Sequence, residues 1–198
     1  MLLYQPTGKK ELALVFQTNM CLWPPRLADQ PIFYPVLNQP YAAQIARDWN
    51  TKFNTFVGYV TRFEVDDAYA ANFKVEKVGG REHLELWVPA ESLAEFNQKL
   101  TSRIEVLEAF FGTRFDNRES VGLLSQLEQA DEVNTLAARI EANAEAVFLH
   151  YPYWKVETPE KFDLAQARKA ALLEKIELAW QEKFPDIHLC QQGEKVNL

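Results

Sequence analysis

The spacing of the apolar residues changes near Gly112, and no other feature limits the possible folds as strongly. Between residues 56 and 65, apolar side chains alternate with other residues, which is the two-residue period of a β-strand. From Val133 to Val147 they recur at spacings of three and four, which is the period of an α-helix. The chain is therefore predicted to form an α+β domain over residues 1–112 and a helical extension over residues 113–198.

The first 112 residues contain several short strand signals. Leu2–Gln5 is predicted to be an edge strand that stops at Pro6, because proline cannot donate a hydrogen bond to a sheet. Asn38 is a predicted N-cap for a helix that runs to about Trp49. Ile104–Phe111 fits either a strand that closes the sheet or a helix. Further strands are predicted at Ile32–Leu37, Lys74–Val78 and Glu82–Val88.

The helical extension is the more acidic part of the chain. It carries 10 basic and 15 acidic residues, whereas the first 112 residues carry 11 and 13. Its longest predicted helix covers Asp163–Lys183. Tyr151–Trp154, which contains Pro152, is predicted to break the helix before it, since proline removes a backbone donor. The polar residues Gln191–Leu198 are predicted to form a loose tail.

Charge, cysteine content and hydrophobicity indicate which partners and which cellular compartment to expect. A net charge of −7 disfavours nucleic acid as a partner, because its phosphates are repelled. Cys21 and Cys190 lie far apart, so neither a disulfide framework nor a zinc site is predicted, and no metal is expected. No apolar run is long enough to cross a membrane and no leader segment is evident. A cytoplasmic protein without a membrane partner is therefore expected.

The segment from Gly79 to Pro89 is the best candidate for a functional site. Residues two apart share a face of a strand, so His83 and Glu85 are predicted to point the same way. A carboxylate beside an imidazole on a sheet surface can orient a sugar and stabilise developing positive charge. A cross-strand charge pair on a solvated face is the alternative, and the spacing alone favours it.

Four segments carry a resemblance to a known family. LLYQP, PIFYPVLNQPYAAQIARDWN, VGYVTRFEVDDAY and VGGREHLELWVPAESLAEFN are similar to segments of small bacterial proteins that bear an inherited ADP-ribosylation/crystallin label. The order of elements over about residues 2–111 also resembles, more remotely, the ADP-ribosyltransferase fold. That resemblance implies a small split sheet, mixed or antiparallel, with flanking helices, and NAD as a substrate.

The resemblance also implies roles for individual residues. The catalytic glutamate of the fold corresponds to Glu85, and His83 stands at the variable position two residues before it. Tyr34 corresponds to the ring that stacks on nicotinamide, and Tyr41 begins the helix that follows it. Tyr4 corresponds to the aromatic residue of the first strand. The same strand usually continues with an arginine or histidine, but here Gln5 follows, and Arg26 is a second candidate for contact with ribose or phosphate.

Two functional hypotheses follow from these observations. In the first, the protein binds NAD and transfers ADP-ribose to an acceptor. In the second, the same fold is catalytically inactive and holds a nucleotide or another small molecule, or it binds a protein partner or a second copy through its helical extension. Fold alone does not decide between them.

Overall fold

Two β-sheets and a set of packed helices form the structure, a computed structural model that describes residues 1–130 and 133–196. Within these residues there are seven strands and eight α-helices. The strands are β1 (Leu2–Gly8), β2 (Ile32–Phe33), β3 (Val57–Glu64), β4 (Lys74–Lys77), β5 (Leu84–Pro89), β6 (Glu105–Gly112) and β7 (Gln192–Val196). The helices are α1 (Lys9–Gln17), α2 (Gln39–Asp48), α3 (Asp67–Ala70), α4 (Leu93–Gln98), α5 (Arg118–Glu128), α6 (Val133–Ala142), α7 (Ala144–Val156) and α8 (Gln166–Lys183).

The larger sheet has the strand order β1-β3-β6-β7, and the smaller has the order β2-β5-β4. All pairs are antiparallel except β6 and β7, which run parallel. The α+β class with mixed and antiparallel sheets is therefore confirmed. Residues 104–111, for which strand and helix were both open, are mostly strand β6. The edge strand β1 continues through Pro6 to Gly8, beyond the end that the proline predicted.

One residue joins the two sheets. Val36 exchanges two backbone hydrogen bonds with Tyr4 of β1, with N–O distances of 2.9 and 2.7 Å. On its other side, Val36 forms an antiparallel bridge with Glu85 of β5. Directly opposed residues of antiparallel strands point to the same face, so Tyr4, Val36 and Glu85 share one face at the junction.

Helix α2 covers that face, and its sequence explains where it begins. The Asn38 side chain accepts a hydrogen bond from the Tyr41 amide at 2.9 Å, as the predicted N-cap requires. Ala42 and Ala46 are fully buried against the sheet. The helix lies so close to β3 that a Cβ atom added at Gly58 would collide with the backbone of Ala46.

The segment predicted to be a loose tail is a strand instead. Residues Gln192–Val196 form β7 and pair with Glu108–Gly112 of β6. Main-chain hydrogen bonds hold this pairing, so it does not need the apolar alternation on which sequence patterns rely. Gly193 permits a close approach to α7, because a Cβ atom there would lie 2.5 Å from the Pro152 carbonyl oxygen. Residues 197–198 lie outside the described residues.

Helix α7 runs through Tyr151–Trp154, so the predicted helix break is wrong. Eight consecutive residues from Val147 to Trp154 are buried, which leaves no polar face to give a helical period. A tertiary contact satisfies a carbonyl near the proline: the Tyr59 hydroxyl donates to the Leu149 oxygen at 2.8 Å. Pro152 leaves the Phe148 carbonyl without its helical donor, and the burial of the surrounding side chains together with the Tyr59 contact stabilises this part of the helix.

The segments before and after Gly112 share one core. A single cluster of buried apolar side chains contains Tyr59 and Phe111 from the first segment and Trp154 and Trp180 from the second. The division of the chain into two domains at Gly112 remains a prediction. In the structure, the two segments share this core and the larger sheet. In the part of the chain that the structure describes, no helix is both long and apolar enough to span a bilayer.

Candidate functional site

The carboxylate of Glu85 is held by two neutral donors. Its Oε1 accepts a hydrogen bond from the Tyr41 hydroxyl at 3.1 Å, and its Oε2 accepts one from the Trp87 indole nitrogen at 3.0 Å. Glu85 lies on β5, where Leu86 and Val88 fill the core on the opposite face and fix the orientation of the strand. Both oxygens are therefore oriented while the carboxylate stays partly open to solvent.

Two further aromatic rings pack against the two that hold this carboxylate. The imidazole of His83 stacks on Tyr41 with ring centroids 4.3 Å apart and an interplanar angle of 16°. The ring of Tyr34 meets Trp87 edge-on at 5.6 Å and remains 38% exposed. We call the five residues Tyr34, Tyr41, His83, Glu85 and Trp87 the Glu85 site.

The glycine turn before β5 positions His83. The Gly80 amide donates to His83 Nδ1 at 3.1 Å, and a Cβ atom at Gly79 would lie only 2.6 Å from that nitrogen. A side chain at residue 79 would therefore displace the imidazole from Tyr41. The Gly79-Gly80 pair thus serves the site as well as the turn.

Tyr41 remains a hydrogen-bond donor at neutral pH. Burial, followed by the charge of Glu85 and the hydrogen bond to it, raises the pKa of Tyr41 to about 12. The phenol is therefore protonated under physiological conditions and donates to the Glu85 carboxylate.

The residue opposite Glu85 does not neutralise it. In the register of β4 and β5, Glu76 faces Glu85, and the ion-pair partner of Glu76 is Lys74. No ion pair to Glu85 occurs within residues 1–130 and 133–196. The cross-strand charge pair considered from the sequence is therefore not what the structure shows. Like charges opposed across a sheet reduce stability, so the arrangement has a cost.

The structure brings together five of the seven residues predicted for the site. His83, Glu85, Tyr34 and Tyr41 belong to the Glu85 site. Tyr4 lies on the same face at the sheet junction, where it packs with Tyr41 against the apolar cluster under α2.

Gln5 and Arg26 lie on the other side of the sheet. Gln5 follows Tyr4 in β1, so it points to the opposite face, where it is 8% exposed. Arg26 pairs with Glu11 at 2.5 Å and lies over Phe33, whose side chain belongs to the main core. Glu11 also accepts a hydrogen bond from Thr7, a neighbour of Gln5 on that face. The structure therefore separates these two residues from Glu85.

Trp87 is a residue of the Glu85 site that the sequence did not predict. It shares a strand face with Glu85, two residues away, and its indole nitrogen is a donor without acceptor capacity. That parity was visible in the sequence, but the pairing with the carboxylate depends on side-chain torsions that no spacing reveals.

Comparisons with known proteins assign no family to the chain. No protein-family model matches it, and neither a curated protein nor a solved structure gives a significant match. Among the described residues, no three His, Cys, Asp or Glu side chains gather as metal ligands.

Proposed function

We propose that this is an ADP-ribosyltransferase-like protein that binds NAD at the Glu85 site and transfers ADP-ribose to an acceptor. One observation carries the proposal: the Glu85 carboxylate is oriented by Tyr41 and Trp87, and each of these rings packs against a further aromatic ring. A structural role does not require such an arrangement, because an apolar or cationic residue facing Glu76 would be more stable.

The site suits the nicotinamide riboside half of NAD. The nicotinamide ring is flat and cationic, and the exposed face of Tyr34 offers a surface on which it stacks. The Glu85 carboxylate accepts a hydrogen bond from a ribose hydroxyl. Trp87 and Tyr41 hold the carboxylate in place before the substrate arrives, so little reorganisation is needed.

The same carboxylate contributes to the chemical step. When the bond between the ribosyl carbon and the nicotinamide nitrogen breaks, its electron pair leaves with nicotinamide and positive charge develops on the sugar. Glu85 lies next to that charge and stabilises it more than it stabilises the ground state. The acceptor then forms a bond to the ribosyl carbon and releases a proton.

A second candidate is a module of the same fold that binds a nucleotide or nucleoside without catalysis. The positions of Gln5 and Arg26 favour it, because both lie on the other face of the sheet. The Glu85 site then holds no predicted cation for the pyrophosphate, which is the part of NAD that an arginine usually binds.

Release of nicotinamide from labelled NAD by the full chain tests the first candidate. We expect Glu85→Gln to lower turnover by about 10²–10³ with little change in NAD affinity, since glutamine keeps the size but loses the charge. Glu82→Gln is the matched control, because Glu82 is exposed in the turn before β5. Equal behaviour of the two variants contradicts the role of Glu85.

Tryptophan fluorescence during titration with NAD tests the second candidate. Trp87 contacts the carboxylate, so a ligand in the site changes its emission. Binding without nicotinamide release supports the inactive module. If NAD neither binds nor is cleaved, the first candidate fails, and the second fails for NAD as its ligand.

A further inference from the structure

A cavity that shares no lining residue with the Glu85 site has the features of an anion site. It measures about 530 Å³ and lies between the start of α1, the loop before β3 and the segment that leads into α5. Lys9, Arg114 and Arg118 are its cations, and Asp116 and Glu119 are its anions. Its charged side chains sum to +1 in a chain of net charge −7, so this is a locally basic surface.

Arg114 supplies the uncompensated charge. Lys9 pairs with Glu119 at 2.6 Å and Arg118 pairs with Asp116 at 2.5 Å, whereas no ion pair of Arg114 occurs in the described part of the chain. The guanidinium lies over the Phe56 ring, 4.5 Å from its centroid. Stacking leaves the edge of a guanidinium free, and that edge matches two oxygens of a phosphate.

Lys9 adds a second donor. Burial, and then the charge of Lys9, lowers the pKa of His150 to about 4, so this imidazole is neutral. Its Nε2 lies 3.0 Å from Lys9 Nζ and 3.2 Å from Glu119, and Glu119 accepts an ammonium hydrogen of Lys9 at 2.6 Å. One hydrogen of the ammonium group remains for a ligand. Helix α1 begins at Lys9 without a side-chain cap, so its first amides also favour an anion.

An aromatic surface adjoins the cationic cavity. A second cavity of about 410 Å³ shares Asn54 and Thr55 with the first, and Trp49 and Phe53 form its wall. These two rings are 65% and 50% exposed and lie 5.3 Å apart. Large aromatic side chains are seldom left in water side by side, and they offer a flat ligand a stacking surface.

We infer that the two cavities form one binding site for a phosphate monoester of a planar ring compound. The phosphate contacts Arg114 and Lys9, and the ring stacks on Trp49 and Phe53. A doubly charged group suits two cationic donors and an uncapped helix start better than a single carboxylate does. The site is independent of the Glu85 site, with which it shares no residue.

Calorimetric titration of the full chain with phenyl phosphate, inorganic phosphate and phenol tests the inference. We expect phenyl phosphate to bind at least about tenfold more tightly than either half, because it uses both cavities. Arg114→Gln is expected to weaken phenyl phosphate and inorganic phosphate by about tenfold or more, the loss of a charge-assisted hydrogen bond. Arg114→Lys recovers part of this affinity.

Trp49→Ala separates the two halves of the site. It is expected to weaken phenyl phosphate about tenfold and to leave inorganic phosphate unchanged, since only the ring loses a partner. Arg168→Gln is the matched control, because Arg168 pairs with Glu128 on another surface.

Three results overturn the inference: no binding of phenyl phosphate at millimolar concentration, affinity equal to that of inorganic phosphate, or an Arg114→Gln variant that binds like the control. Arg114 is exposed, so the variant is expected to fold, and thermal unfolding verifies this. Glu85→Gln is expected to bind phenyl phosphate like the wild type. Failure at this site therefore leaves the proposal for Glu85 untouched, and the reverse also holds.

Discussion

The imidazole of His83 lies flat against the phenol of Tyr41, with ring centroids 4.3 Å apart. The hydroxyl of the same phenol donates to Glu85 at 3.1 Å. Tyr41 belongs to α2, whereas His83 and Glu85 belong to β5 and the turn before it. A single ring thus connects the helix to the strand that carries the carboxylate.

Removing the Tyr41 hydroxyl should therefore make the Glu85 carboxylate less well oriented, while the aromatic ring of residue 41 stays in place. We expect Tyr41→Phe to lower the free energy of unfolding by about 1 kcal/mol, the usual net contribution of one hydrogen bond. Under the proposed function, nicotinamide release also falls, because the carboxylate is less well oriented. Thermal unfolding and the NAD assay measure the two effects. Tyr34→Phe, which removes a hydroxyl but keeps the stacking ring, is the control, and an equal loss in both variants argues against the role of Tyr41.

The contact between α2 and β3 predicts a second effect at the same site. A methyl group at residue 58 meets the Ala46 backbone, so Gly58→Ala has to move the helix. We expect a loss of about 1–3 kcal/mol in the free energy of unfolding and a weaker hydrogen bond between Tyr41 and Glu85. Gly122→Ala is the control, since an added Cβ at this helical position meets nothing within 4 Å. That change should raise stability slightly, and equal destabilisation of both variants contradicts the packing argument.

Because of His150, the free energy of unfolding is expected to change with pH in the mildly acidic range. Burial is the main reason that its pKa falls from 6.5 to about 4; the charge of Lys9 adds to the effect and Glu119 opposes it. Between pH 4 and pH 6.5, His150 therefore binds a proton in the unfolded chain but stays neutral in the folded chain. The stabilisation is thus complete above pH 6.5 and is lost as the pH falls to 4, about 3 kcal/mol in all.

Thermal unfolding between pH 7 and pH 4.5 measures this dependence. We expect His150→Gln to flatten the decline in Tm across that range, whatever its effect on Tm at pH 7. The exposed His188 provides the control, and His188→Gln should retain the wild-type slope. A wild-type slope in His150→Gln rules out this histidine as the cause.

Glu157 anchors β7 and responds in a lower pH range. Burial raises its pKa, but hydrogen bonds from Tyr153, Lys195 and the Thr158 amide outweigh burial and bring the pKa to about 2. Its contribution is present above pH 4.5 and is lost as the pH falls towards 2. We expect Glu157→Gln to cost about 1–3 kcal/mol at pH 7 and to speed amide exchange in β7, because Lys195 loses its partner at 2.9 Å.

Glu160→Gln is the matched control for Glu157, since Glu160 is exposed three residues further along the chain. Its unfolding and its exchange in β7 should equal those of the wild type. Unchanged exchange in both variants means that backbone pairing with β6 alone holds the strand.

Local signals in the sequence predicted the front of the molecule well. Asn38 is the N-cap of α2, and Glu85 of β5 and His83 of the turn before it both contact Tyr41, so they lie on one side as predicted. These features depend on neighbours within a few residues, which is the range over which a single sequence is informative.

Features that depend on distant contacts were not predictable. Pro152 stays inside α7 because surrounding elements bury that helix on all sides, and β7 forms because the backbone of β6 is available to it. The separation of Gln5 and Arg26 from the other predicted site residues also depends on distant contacts. Alternation places Gln5 opposite Tyr4, but only the fold shows that Arg26 pairs with Glu11 on the Gln5 side.

The pairing of β6 with β7 imposes an order of events on a chain leaving the ribosome. Strand β6 emerges before α5, and its partner β7 emerges only after α8. During that interval the outer edge of β6 presents unpaired amides and carbonyls, which other extended chains can pair with. On a crowded polysome, neighbouring nascent chains carry the same unpaired edge of β6. Pairing between these edges is therefore expected to compete with correct folding.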